Sequence, residues 1–158
     1  MEITNIVLSG FVATSVMTTF IYLIHISKIS NADMIGALGS YISSDLLKAR
    51  LIGTLIHFSI GLSTAFFYVA VWSRFNFSQN LPGVGLLTGF AQGLVVSLGL
   101  VVLVAEHHPS ERFRKVGFGI ALTHLFAHIV YGGVLGTAAS YLESTQNLLT
   151  SVGQYLYG

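Results

Sequence analysis

The sequence contains no cysteine. Disulfides, thiolate metal sites and cysteine nucleophiles are therefore excluded. Charge is nearly as scarce: Asp, Glu, Lys and Arg make up 8% of 158 residues, against roughly 25% in soluble domains. The net charge of +1 offers no bulk attraction for nucleic acid. Met1-Glu2 lacks the basic stretch of a cleavable signal, so the apolar run starting at Ile3 reads as a retained first span. Apolar residues reach 53%. A water-soluble domain so composed would expose large apolar patches, an objection that a lipid solvent removes.

Four uncharged runs are present, Ile3–Ile24, Leu51–Ser73, Leu81–Ala105 and Val116–Leu142. Each is long enough to cross about 30 Å of hydrocarbon at about 1.5 Å per helical residue. Backbone groups in lipid must satisfy one another, so the runs are helices rather than open strands. The fold expected is all-α, a polytopic bundle of four transmembrane helices. It forms one integral membrane domain over 1–158, with helices at about 3–25, 51–73, 82–105 and 116–142.

The few basic residues are unevenly placed. Lys28, Lys48 and Arg50 lie in the first connection and Arg112, Arg114 and Lys115 in the third, while the second holds Arg74 alone. The positive-inside rule then puts loops one and three in the cytoplasm and both termini outside. Trp72, Phe75 and Phe77 fit an aromatic belt at the outer end of the second helix. The Asn31–Gly39 stretch reads as a short surface or re-entrant helix, and the tail Glu143–Gly158 as a segment lying along the outer surface.

Small residues recur at four-residue spacing: Gly53, Gly61 and Ala65 in helix two, Gly85, Gly89, Gly93 and Ser97 in helix three, Gly132, Gly136 and Ser140 in helix four. In lipid such rows let backbones approach, so they are expected to face inward as packing surfaces. His57-x3-Gly61-x3-Ala65 parallels His128-x3-Gly132-x3-Gly136, and Gly10-Phe-Val-Ala13 parallels Gly89-Phe-Ala-Gln92. That pattern is consistent with a duplicated two-helix hairpin.

Histidine is the titratable ring set at depth, with threonines and a glutamine beside it. His57 lies seven residues in from Arg50, about 10 Å, and His124 nine residues in from Lys115, about 14 Å. His128 is one turn deeper. Thr14, Thr18 and His25 share a face of helix one, Gln92 and Glu106 a face of helix three, and His124, His128 and Tyr131 a face of helix four. Intramembrane polar groups usually face a bundle interior. Three chemistries are compatible with them. His57 and His124, at similar depth beside glycines, suit the axial pair of a haem b. His124, His128 and Glu106, with or without His57, suit a metal or proton site; the pair lacks the Glu that a zinc protease carries after its first His. Or the rings bond Thr14, Thr18, Ser59, Thr64, Thr123 or Tyr131 and hold helices in register.

Other features are plainer. Glu106-His107-His108-Pro109 reads as a helix end anchored at the head-groups. Arg112-Phe-Arg114-Lys115 reads as a topogenic cluster, with anionic head-group binding second. Gly83-Val-Gly85 comes after no strand, which removes a nucleotide loop.

Several residues together resemble a family. Gly10-Phe-Val-Ala13-Thr14 with Met17, then Asp33, Leu38-Gly39, His57 with Gly61, and finally His128, Tyr131, Gly132, Leu135 and Gly136 are similar to the pattern of small four-helix bacterial inner-membrane proteins of the YagU-like group. The resemblance implies the four-helix fold and a bacterial inner membrane, and brings no catalytic residues. His124 and His107-His108 are not part of that pattern. Two functions are then carried forward. One is a non-enzymatic accessory or scaffold subunit that contacts lipid and other membrane subunits. The other is a histidine-based site at His57, His124 and His128 for haem b, a metal or a proton.

Overall fold

The computed structural model describes residues 1–30, 33–77, 79–115 and 117–157. The expected helix starts at Asn31-Ala32 and Val116, the Tyr157 side chain and Gly158 lie outside the described residues. The elements are α1 (Ile3–Ile26), α2 (Met34–Ser40), α3 (Leu46–Arg74), α4 (Leu81–Gly99), a π-helical turn (Leu100–Val104) leading into α5 (Ala105–His107), α6 (Glu111–Arg114) and α7 (Phe118–Tyr157). Four stretches are long and apolar enough to cross a membrane: Ile3–Ile26, Leu46–Arg74, Leu81–His107 and Phe118–Val152.

Local chemistry sets several helix starts. The Asp33 carboxylate accepts from the Gly36 amide at 3.1 Å, Asp45 from Lys48 at 3.0 Å and Asn80 from Gly83 at 3.1 Å. These are N-caps that satisfy otherwise orphaned amides. Pro82, in the first turn of α4, occupies a position where its missing N–H costs nothing.

The tightest packing is between α4 and α7. A methyl group added at Gly85 would overlap the Gly132 carbonyl, one at Gly132 the Gly85 carbonyl, one at Gly89 the His128 carbonyl and one at Gly136 the Leu81 carbonyl. Ser97 continues this seam, its hydroxyl donating to the Ala121 carbonyl at 2.7 Å. α1 packs on both α7 and α3. Along α3 the small residues divide their work. Gly61 and Ala65 face Thr14 and Gly10 of α1, whereas Gly53 faces the Ile35 carbonyl and seats α2.

The two hairpins close in different registers. Gly10 lies against Ala65, while Gly89 lies against His128. The counterpart of Ala65 in the aligned motif is Gly136, so the registers differ by eight residues, about 12 Å.

Three local expectations are corrected. Trp72 is buried against Tyr68, their ring centroids 5.6 Å apart, and only Phe75 and Phe77 remain exposed at that end. The tail does not leave the fourth span: α7 runs on for 40 residues. Asn5 donates to Gln146 at 2.8 Å and ties the extension to the start of α1. His108, read as a head-group anchor, is fully buried. Its Nδ1 accepts from the Ser110 amide at 3.0 Å, while Nε2 lies 3.1 Å from both the Ala37 carbonyl and the Ser40 hydroxyl. Tyr41 and Phe113 pack edge-on to the ring at centroid distances of 4.5 and 5.1 Å. One imidazole thus fastens the third connection onto α2.

Candidate functional site

The interior of the bundle holds a cavity of about 450 Å³, within the range of small-molecule sites. Every long helix contributes to it, and α2 closes one end with Asp33, Met34 and Leu38. His25 and Thr18 come from α1, His57 and Thr64 from α3, Gln92 and Val96 from α4, and His124, His128 and Tyr131 from α7. The 3.6-residue period of α7 puts its three polar rings on one face. Packing on α1 and α4 then turns that face inward, leaving Tyr131 2%, His124 3% and His128 8% exposed.

Hydrogen bonds fix how these rings present themselves. His124 Nδ1 lies 2.8 Å from the Ile120 carbonyl and His128 Nδ1 2.8 Å from the His124 carbonyl. A carbonyl oxygen can only accept, so each Nδ1 carries the proton. In the neutral ring each Nε2 is then a bare acceptor. Among the described residues His124 Nε2 is buried with no protein partner, as are His57 Nε2 and His25 Nδ1. Tyr131, by contrast, is satisfied: its hydroxyl donates to the Gly61 carbonyl at 2.6 Å and links α7 to α3.

Glu106 is not brought to this group. It is exposed on α5 and does not line the cavity. The shared face with Gln92 assumed an unbroken α-helix, but the π-helical turn at Leu100–Val104 intervenes. One extra residue in a turn rotates every later side chain by about 100°. Among the described residues no three His, Asp or Glu side chains are placed to hold one metal ion.

The mouth near α2 is held by charge. Asp33, which caps α2, pairs with Arg50 at 3.0 Å and approaches Arg112 at 4.0 Å. This drawstring joins the first and third connections. Neither half was expected from the sequence; the signal that could have found the first is Asp itself, a favoured N-cap residue, ahead of a short helical stretch. The arginine partners lie 17 and 79 positions along the chain, and no spacing rule links them.

A second groove, about 720 Å³, lies between α3 and α4. It shares Ile60, Thr64 and Gln92 with the cavity. Its rim includes the exposed residues Ser63, Phe67, Ala91 and Val95. Tyr68 spans it: the hydroxyl lies 2.8 Å from the Thr88 carbonyl and 2.7 Å from Gln92 Oε1.

A family model matches residues 2–150. The chain belongs to the family of unknown function DUF6789. The match takes in all the cavity-lining residues, from Thr14 to Tyr131. No curated protein and no solved structure matches this DUF6789 chain.

Proposed function

We propose that this DUF6789 protein is a non-enzymatic intramembrane binding protein whose ligand sits in the cavity between His57, His124 and His128. One observation carries the reading. Imidazoles from three helices, His25, His57 and His124, line the same cavity, and one nitrogen of each is buried with no protein partner among the described residues. Buried polar atoms are almost always paired, so whatever fills the cavity supplies the pairing. Rings that served only to hold helices together would spend their nitrogens on neighbouring helices, as His108 does.

The geometry weighs against a haem b between His57 and His124. A macrocycle needs a flat slot, and the glycines that would provide one are closed. Gly61 is filled by Thr14, and Gly85, Gly89, Gly93, Gly132 and Gly136 by backbone across the α4–α7 seam. A tightly held metal likewise lacks a third ligand among the described residues. A smaller ligand, or a proton, fits the donor set better.

The test is native mass spectrometry of the protein released from mild detergent. A small-molecule adduct is expected in the wild type and absent from His124→Phe eluting at the same volume. A wild type with no adduct and no bound ion would overturn the reading.

The second reading, an accessory subunit of a larger membrane complex, is favoured by α3, the least buried span. Co-purification of stoichiometric partner chains unaffected by His124→Phe would support it instead. We place the protein in a bacterial inner membrane, as one of the YagU-like group, with both termini outside. The contact of His108 with α2 brings the two basic connections to one end of the bundle, as the positive-inside rule asks of cytoplasmic loops.

A further inference from the structure

We infer that the ligand is a lipid-soluble hydroxyl compound, of the phenol or alcohol class, that enters sideways from the bilayer between α3 and α4. The inference rests on the binding role proposed above and adds the ligand's chemistry and its route. The chemistry follows from proton placement. His124 and His128, whose side chains line the cavity, each commit Nδ1–H to a backbone carbonyl at 2.8 Å, so each ring keeps Nε2 as an acceptor. Gln92 complements them: its Oε1 lies 2.7 Å from the Tyr68 hydroxyl, which leaves its amide N–H groups as donors, and Tyr131 spends its own proton on Gly61. A molecule that only accepts, such as an ether, leaves the imidazole nitrogens unpaired, which costs more than a lost bond alone. A molecule with an O–H pairs them. Much of the remaining wall, including Met17, Ile21, Ile60, Val96 and Leu100, is apolar and suits a hydrocarbon body.

The route follows from the two seams that flank α4. Backbone contact closes the α4–α7 side. The α3–α4 side is a groove rimmed by exposed Phe67, Ala91 and Val95, and only the side chains of Ile60, Thr64 and Gln92, which line both spaces, stand between it and the cavity. Those residues lie in the middle of their helices, at the depth of acyl chains. At the α2 end, Asp33 lines the cavity and is paired with Arg50 at 3.0 Å. An apolar solute thus meets an apolar side and a charged end.

The experiment uses the full chain in lipid nanodiscs with two probes of nearly equal shape, 4-decylphenol and its O-methyl ether. Binding is read by equilibrium dialysis and stopped-flow. The phenol is expected to bind about tenfold more tightly than the ether, the ratio one well-made hydrogen bond supplies. His124→Phe should erase that preference, and His128→Phe, a second acceptor, guards against loss of fold in either variant alone. Ala91→Phe, on the groove rim, should slow association and dissociation alike by severalfold while leaving affinity unchanged. Equal binding of phenol and ether sinks the chemistry, and unchanged rates in Ala91→Phe sink the route. If neither probe binds while a His124-dependent adduct persists in the mass spectrum, this inference fails and the binding role survives. If the adduct is missing too, both fall.

Discussion

The two flanks of α4 are built on opposite principles. Toward α7 the helix offers Gly85, Gly89 and Gly93, and carbonyls of the partner occupy the space where their Cβ atoms would stand. Toward α3 it offers Thr88, Ala91, Gln92 and Val95, and the Tyr68 hydroxyl reaches across. Lipid tails are as apolar as leucine, so a bilayer gives helices no solvent reason to pair. What decides contact is how closely backbones come. One helix can therefore be bolted on one side and ajar on the other, with the difference written in its Cβ atoms. The cavity shares Ile60, Thr64 and Gln92 as wall with the side that is ajar.

Substitutions that reverse this asymmetry test it, read as unfolding in mixed detergent micelles. Gly132→Leu drives a side chain into the Gly85 carbonyl and should have the largest effect, a loss of about 3 kcal/mol, the upper end for overpacking. Gly85→Ala inserts only a methyl against the same backbone and should cost about 2 kcal/mol. Should it prove neutral, the seam is looser than described. Gly61→Ala meets the Thr14 side chain rather than backbone, and about 1 kcal/mol is expected because a side chain can turn. A cost equal to that of Gly85→Ala would erase the distinction between backbone and side-chain closure. Tyr68→Phe removes the hydroxyl strut across the open flank. It should cost about 0.6 kcal/mol, the mean for intramembrane hydrogen bonds. Hydrogen exchange in α3 should rise with it while α7 stays protected.

The fold class was plain in the sequence because lipid imposes a simple rule: long uncharged runs must be helices that satisfy their own backbones. The rings of His124, His128 and Tyr131 could be assigned to one face of a helix by counting in steps of three and four. What counting could not supply was phase across an irregularity. Glu106 left the Gln92 face because a π-helical turn intervened, and no composition signal marks Leu100–Val104. Nor could counting supply long-range partners. His108 looked like a head-group residue because its ligands, Ala37 and Ser40, lie about seventy positions away. Trp72 looked interfacial for the same reason, since its neighbour Tyr68 is turned inward by a contact with α4. Gly53 shared the spacing of Gly61 and Ala65 yet seats a different element, α2, because the first connection folds back onto α3.

The length of α7 carries its own corollary. Forty residues make a rod of about 60 Å, twice the depth of the oily slab it must traverse. About three turns run on past Gln146, which is level with the start of α1, and Leu148, Leu149 and Tyr155 are bare along them. A protease added to sealed vesicles will nick this mast only from the compartment into which it protrudes, so a single gel would tell which way up the whole molecule sits.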